Sequence, residues 1–595
     1  MKNFLLLLLA FFLTSCVEPV YDLEDQQQTI PEFQYSYGNE VNRNFYGQVL
    51  DRSGNPVSGA TVSTGSSTVQ TNIKGFFILK DAPVKEKFAH LKVTKAGFVD
   101  ASRVLFPTSG DNRVNIMMIP ATTTSTISTG TASSVSLPDG TLVKFDGNFK
   151  DSNGNPYSGN VNVAVFNLKT SDTYFNETMP GSLLASNSEG EAQMLESFGM
   201  MHVQLTGTAG QDLQISNNAQ ITYPIDPSQI STAPATIPLW SFNEEMGIWI
   251  EEGKANKIGN KYVGNVSHFS WWNCDVPNDF AHLSITLTDS SNQPLTGLKV
   301  GLKTTSMTNE LYAFSNGSGV ASGMVIANQT LEVKVYDLCG NIIYSGNVGP
   351  FNNASSNNLP ITISSTTSQH FNVTGILQNC AGTNITNGLV HLSSPTNSNY
   401  FQNNIQLVTN GSFSFSSYFC GTSPQFTLTG YDYDALQTSA SINFTGAFPT
   451  TNLGVITTCN TANEYITYTI NSSQVVTLMG PFNTKTASTP GTQSNLGIGS
   501  VGSFTSGIPY FNFSVSPNVA NQIVTGTTFT GSYFCYFSNS TNLSMLQVSH
   551  NGLFEFTNVG PIGGYIYFNF TTTWVDPATS AIHSASGTGH VIRDF

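Results

Sequence analysis

The stretch DRSGNPVSGATV, residues 51–62, constrains this chain more than any other because it returns. Asp51-Arg52-Ser53-Gly54-Asn55-Pro56 is answered by Asp151-Ser152-Asn153-Gly154-Asn155-Pro156, by DSSNQPLTGLKV from Asp289, and more loosely by NCAGTNITNGLV from Asn379. Each copy follows a run of strand length (FYGQVL, VKFDGNFK, LSITLT, FNVTGIL) and precedes another. Its parts are turn chemistry: an Asp or Asn side chain that bonds the backbone, a residue suited to positive φ, and, in three copies, a proline of fixed φ. A second mark follows at TNIKGFF (71–77), NSEGE (187–191), SNGSG (315–319), TNGSF (409–413) and SHNGLF (549–554). Turn, strand, turn, strand at domain-sized intervals predicts repeated β-sandwiches.

The rest of the pattern agrees. LKVTKAGFV, NVNVAVFNL, LEVKVYDL, FSFSSYF, QFTLTGYDYD and YIYFNFTTTWV alternate or run apolar over a strand's length, and no dozen residues hold a capped 3.6-residue period. At 595 residues the chain exceeds one core and divides into roughly four to six domains. The expectation is an all-β chain of tandem β-sandwich modules, prealbumin-like or immunoglobulin-like.

Composition narrows the function. Only 10% of residues are charged, against about 25% in an ordinary soluble domain; Ser, Thr, Asn and Gly carry the polarity. A formal charge of -15 leaves no basic stripe for phosphates, so nucleic acid is not an expected partner. From Phe371 onward there are eight charged side chains (Asp432, Asp434, Glu464, Lys485, Glu555, Asp576, Arg593, Asp594). Acid–base or metal chemistry needs converging titratable groups, so no enzyme and no cofactor are expected.

The N-terminus reads as an address. Lys2 precedes an apolar run from Phe4 to Leu13, too short to span a bilayer but right for a secretory segment. It ends in Leu13-Thr14-Ser15-Cys16, which resembles a bacterial lipobox. That resemblance implies a signal peptide over 1–15, lipidation at Cys16, and a tether over 16–43 that anchors the protein without a transmembrane helix. The acidic VEPVYDLED that follows Cys16 resembles the export signals of Bacteroidetes lipoproteins, although Val17 separates the Cys from the first acid. The implied location is the outer membrane, facing the cell exterior.

Two further resemblances divide the chain. GQVLDRSGNPVSGATV with TNIKGFFIL and LKVTKAGFV is similar to the carboxypeptidase regulatory-like domain, which implies a non-catalytic, seven-stranded prealbumin-like sandwich over 44–120. A Ser/Thr-rich linker, TTTSTISTGTASS, opens the segment 121–275. There FGMMHVQL, ITYPIDPS, PLWSFNEEMGIWIEEG and YVGNVSHFSWWNCD resemble a module of cartilage intermediate layer proteins and astroprincins, implying an extracellular structural or interaction role. Segments 276–366 and 367–460 read as further sandwiches, and 461–595 as a C-terminal β domain whose closing strand resembles that of a domain in Bacteroidetes lipoproteins.

Candidate chemistry is sparse. Asp51, Ser53 and Asn55 have the spacing of the first oxygens in a calcium loop, but Pro56 and Val62 stand where such a loop needs Gly and a bidentate Glu. Glu244-Glu245 and Glu251-Glu252 could serve a glycosidase only by facing one sugar across a cleft. Glu244-Glu245 instead sit at a hairpin tip, and Glu251 and Glu252 point to opposite faces of a strand. Met200-Met201-His202 suits core packing better than a metal. Trp271 and Trp272, beside His268, are the candidates for sugar stacking. Cys274, Cys339, Cys380, Cys420 and Cys459 are disulfide candidates in an oxidising compartment; Cys380, Cys420 and Cys459 fall at strand ends in one segment, with one pair expected among them.

The expected protein is a lipid-anchored rod of five sandwich modules that binds or scaffolds an envelope protein or a glycan. The alternatives are an accessory subunit of an outer-membrane machine for nutrient uptake, secretion or barrel assembly, and a glycan-active enzyme.

Overall fold

The carboxylate of Asp51 shows why the repeated turn works. Its Oδ1 accepts the backbone N–H of Ser53 at 2.8 Å and of Asn55 at 2.9 Å, while Gly54 takes a φ of 81° and donates to the Asp51 carbonyl. The side chain thus closes the corner that the backbone leaves open. Asp151, Asp289 and Asn379 make the same two bonds. So do Asn72, Asn187 and Asn316 in the second motif, so at these three copies the two marks are one physical device. A further copy, unmarked by proline, lies at Asp337-Leu338-Cys339-Gly340-Asn341.

The computed structural model describes residues 32–592, apart from residue 73 and residues 365–367, 395–403, 422–423, 462–463, 472–474, 480–481, 488–494, 501–509, 516–524, 531–532, 539–543, 546–549, 560–564 and 576–579. The segment 1–15, Cys16 and the acidic run 17–25 lie outside the described residues.

Between turns the first module builds seven strands: β1 (Glu40–Asp51), β2 (Thr61–Thr64), β3 (Ser67–Gln70), β4 (Phe76–Lys85), β5 (Ala89–Thr94), β6 (Ala101–Leu105) and β7 (Asp111–Met118). They form two sheets, β4-β1-β7 and β3-β2-β5-β6, with β1 and β7 parallel. Phe45, Val49, Phe77, Leu79, Leu91 and Val114 fill the space between them. The seven strands from Phe280 to Thr362 repeat this order in both sheets, again with the first and last strands parallel. The segment from Ser368 to Thr461 repeats it with one extra short strand. There Gln437–Ser439 pairs with strands of both halves and joins them into one eight-stranded sheet.

The second module differs. A 14-stranded sheet folds around two cores, one with Val143, Ile221, Leu239, Tyr262 and Trp272, the other with Leu168, Met200, Trp240, Trp249 and Trp271. The Ser/Thr-rich stretch expected as a linker belongs to this sheet. Ser125–Ser128 pairs with the strand Asn160–Leu168, and Ile127 enters the core, because β-branched Thr and Ile suit a half-buried strand as well as a linker. The fifth module has a six-stranded and a five-stranded sheet around a Phe-rich core that includes Phe511, Phe513, Phe554 and Phe568.

The expected rod is not what forms. The Phe76–Leu79 run of β4 is apolar on both faces of sheet β4-β1-β7, and its outer side is covered by the fourth module. Tyr46, Phe76 and Ile78 pack with Leu389, Ile405, Leu407 and Tyr431. The second module meets the first through Val99 and Ile119, and through Arg52 on Asp172 at 2.5 Å. The third module meets the first where Asn316 Nδ2 donates to Thr108 Oγ1 at 2.9 Å and Ser322 Oγ donates to the Phe106 carbonyl at 3.0 Å. Disulfide Cys339–Cys420 joins the third module to the fourth, and Tyr418 of the fourth is buried in the core of the third. The first four modules therefore pack around β4-β1-β7 instead of following one another.

Phe76 is fully buried, with its ring 5.6 Å from Tyr431 and 5.0 Å from His391. Phe76→Ala should cost about 3–5 kcal/mol and uncouple the first module from the fourth. Calorimetry checks this: one shared transition in the parent protein should split into two in the variant.

Candidate functional site

The side chains on the outer face of β7 are Arg113, Asn115 and Met117, since Val114, Ile116 and Met118 point into the first module's core. In a free sandwich Arg113 and Asn115 would face water. Here the second and third modules close over them and leave a cavity of about 160 Å³. Its polar wall includes Lys87, Arg103 from β6, Arg113 and Asn115 from β7, Glu177 from the four-residue helix Phe175–Thr178, and Tyr312 from the strand Leu311–Phe314. Its apolar wall includes Leu105, Met179, Leu183, Met194 and Phe314.

These groups are organised. Tyr312 donates its hydroxyl to Glu177 Oε1. Arg103 donates Nη1 to the Met179 carbonyl at 3.3 Å, and the Arg113 guanidinium lies over the Phe314 ring at 4.1 Å. Burial pushes Glu177 above the usual carboxylate range, against the Tyr312 hydrogen bond and the Arg103 charge. Burial also lowers both arginines, although each keeps its charge in any ordinary buffer. Glu177 Oε2 and both amide atoms of Asn115 have no hydrogen-bond partner, in residues that are 6% and 8% exposed. A second, more polar cleft of about 380 Å³ shares Asn176, Glu177, Tyr312 and Phe314 with the first. In it Lys299 lies 4.6 Å from the Tyr312 ring, and Tyr336 donates to Glu310. The arrangement is a binding constellation, with cations, an amide and an acid around an apolar floor.

The residues singled out in the sequence lie elsewhere. Asp51 offers no cation site: its Oδ1 accepts two backbone N–H groups and its Oδ2 accepts Asn55 Nδ2 at 3.0 Å, so donors occupy both oxygens beside Ser53 and Asn55. The stacking platform of Trp271 and Trp272 does not form, because both indoles are buried in opposite cores of the second module. Trp272 donates to the His268 carbonyl, and His268 itself pairs with Glu252 at 3.2 Å. Trp271 does reach a small pocket of about 120 Å³, with Lys92, Asp100 and Glu244. Burial and the Asp100 charge raise Glu244. Glu251 accepts the Ser188 N–H and Glu252 the Ser241 hydroxyl.

Of the cysteines, Cys380 bonds Cys459 and Cys339 bonds Cys420, whereas Cys274 is a buried free thiol inside the second module's core. Cys420 crosses to another module because the turn at Asp337 delivers Cys339 to the end of its strand.

The residues of the cavity were not legible as a site. They come from four elements spread over some two hundred positions, and each looks ordinary in its own strand. The signal that exists is the polar pair Arg113 and Asn115 alternating with Val114 and Ile116 on one strand.

No protein-family model matches the chain. Part of it is similar to cartilage intermediate layer protein 2 of Homo sapiens, at 28% identity over 253 residues, covering 38% of this chain and 22% of that protein. It is also similar to cartilage intermediate layer protein 1 of Sus scrofa, at 31% identity over 108 residues and 18% of each chain. The chain thus spans about a fifth of the length of these relatives. Among solved structures, the shaft pilin SpaA of Lactobacillus rhamnosus GG aligns at 10% identity and a TM-score of 0.15, over 30% of this chain and 97% of the pilin. The major pilin subunit BcpA of Bacillus cereus aligns at 10% and 0.13, over 55% and 100%. Superpositions at that level carry no weight for function.

Four histidines lie buried or half-buried within or between the modules. His282 stacks on Phe106 at 4.6 Å, His391 lies on Phe76, His90 faces Gly247 of the second module, and His202 lies 5.2 Å from Trp271. Burial depresses all four to about 4, helped by Lys92 at His90, Lys87 at His282, and Arg113 and Lys74 at His391. Above the unfolded value of 6.5 both states are neutral and the full stability is present. As pH falls from there towards 4, the unfolded chain takes up protons that the folded chain refuses. Stability should therefore drop across that window, by up to about 1.4 kcal/mol per pH unit for each histidine. Urea midpoints measured between pH 7.5 and 4 check this, and His391→Gln should flatten the slope.

Proposed function

We propose that the chain is a non-catalytic, lipid-anchored lipoprotein of the outer membrane that faces the cell exterior and binds or scaffolds an envelope protein or a glycan. The observation that carries this reading is the docking of the far end of the expected tether. Phe33, Tyr35 and Tyr37, read from sequence as part of a solvated tether, pack as an aromatic cluster. Tyr35 lies 5.8 Å from Phe280 of the third module, Tyr37 lies 4.7 Å from Phe88 of the first, and Gln34 bonds Gly190 of the second. A lipid on Cys16 would thus be joined to the place where three modules meet. The intervening segment of about sixteen residues reaches at most roughly 55 Å. That geometry suits a block of modules held near a membrane, with stable anchoring requiring more than one acyl chain.

The similarity to cartilage intermediate layer proteins supports the resemblance read from the second module's motifs. The seven strands of the first module in two sheets support its carboxypeptidase regulatory-like resemblance, and under this reading it keeps a non-catalytic, presenting role in a Bacteroidetes-type lipoprotein. A glycan-active enzyme is disfavoured, because Glu251 and Glu252 are each spent on a local hydrogen bond. The reading of an accessory subunit gains from one feature: Val575 and Ile582, paired across the last hairpin, are 51% and 77% exposed. A stoichiometric β-barrel partner recovered from detergent-solubilised membranes would favour that reading, and a lone monomer would count against it.

Fractionation tests the anchor. The parent protein should sediment with membranes and be shaved from intact cells by added protease, while Cys16→Ala should move to the soluble fraction. An unchanged distribution of the variant removes the lipid anchor, and protection from shaving places the protein on the periplasmic face.

A further inference from the structure

We propose that the cavity between the first three modules binds a small organic carboxylate with an apolar body. The inference is independent of the anchor, since the modules enclose the cavity whether or not Cys16 carries lipid.

The walls define the ligand. Arg103 and Arg113 place two guanidiniums on one cavity, and a guanidinium fork matches a carboxylate better than any other small group. Glu177 supplies an opposing charge on the same wall, and its Oε1 is already engaged by Tyr312. Asn115 is the second, independent sign. Its amide is more than nine-tenths buried, lines the cavity and meets no donor or acceptor of the protein. Native structures keep such groups when water or a ligand supplies the missing partner. Its Nδ2 can donate to the carboxylate, and Glu177 Oε2, equally unpartnered, can accept from a hydroxyl or amine on the same ligand.

Water alone would serve the amide but not the rest of the wall. Leu105, Leu183, Met194 and Phe314 line the same space, and apolar walls hold water poorly. The volume of about 160 Å³ resembles that of an apolar cavity of roughly 150 Å³ that takes up benzene. A ring-sized body beside a carboxylate fits; a folded polymer does not. The site is also shared: no single module supplies both the guanidiniums and Glu177 with Tyr312. Ligand binding would therefore tighten the contacts of three modules at once.

Benzoate is the probe, with benzamide as its neutral counterpart, tested on the full chain at pH 7.5 and constant ionic strength. Benzoate should raise the melting temperature saturably, with an affinity by calorimetric titration at least about tenfold above that of benzamide. Arg103→Gln and Asn115→Leu should each weaken benzoate by about tenfold or more. If Arg103→Gln does not fold, Asn115→Leu decides alone, because it fills space without adding charge. Equal effects of benzoate and benzamide overturn the proposal, as does benzoate binding that survives in the folded variants. So does the absence of saturable binding up to about 10 mM, the weakest affinity worth calling a site.

Discussion

A strand that is apolar on both sides cannot lie at the surface, and the Phe76–Leu79 run of β4 is such a strand. Phe45, Val49, Phe77 and Leu79 fill the first module's own core, while Tyr46, Phe76 and Ile78 point the other way. Exposing those three side chains would forfeit roughly 1.5–3 kcal/mol each, so the fold must bring something to cover them. The cover is the fourth module, more than three hundred residues away in sequence. Once it is seated, the third module is held by its disulfide to the fourth, and the second fills the remaining side. The packed block, the shared cavity and the docked N-terminal aromatics all follow from that one unsatisfied face.

The same face shows where sequence reasoning succeeds and where it stops. The turn device was legible because its chemistry is local: an Asx side chain and a positive-φ residue three positions on leave the same mark wherever they occur. That mark gave the sandwich repeat and the class of fold. It failed at Asp337, where the turn lacks proline and continues directly from an apolar strand. The modules do not follow one another as a rod because one strand lacks the alternation of a half-exposed sheet. FFIL at 76–79 runs apolar without a polar partner, the pattern of a strand buried on both sides. The two tryptophans misled for a related reason: aromatic size suggests either a platform or a core, and a chain with this many sheets has cores to fill.

The sparse charge of the chain acquires a structural reason as well. Among the described residues five contacts pair a Lys or Arg with a carboxylate, and one of them, Arg52 with Asp172, joins two modules. Elsewhere, cross-strand hydroxyl and amide pairs take the place of charges, as in Thr126 with Asn162 or Thr427 with Asn443. Such pairs need no counter-ion and do not weaken with salt. Where charge is retained, it is concentrated: Arg103, Arg113, Glu177, Lys299 and Glu310 gather around two adjoining cavities.

That concentration separates a binding constellation from an accident of packing. β7 reads as an ordinary amphipathic strand, with Val114, Ile116 and Met118 inward and Arg113 and Asn115 outward, so its polar face is built for water. Covering such a face with two more modules strips hydration from a guanidinium and an amide, a cost that replacement by Leu or Val would remove without disturbing the first core. The apolar alternative was open at these positions, since the neighbouring Tyr46, Phe76 and Ile78 on the same sheet face took it. A sheet face divided in this way, apolar where it meets the fourth module and polar where it meets a cavity, serves two purposes. One part holds the modules together, and the other keeps a space between them in which charge is available to something that is not protein.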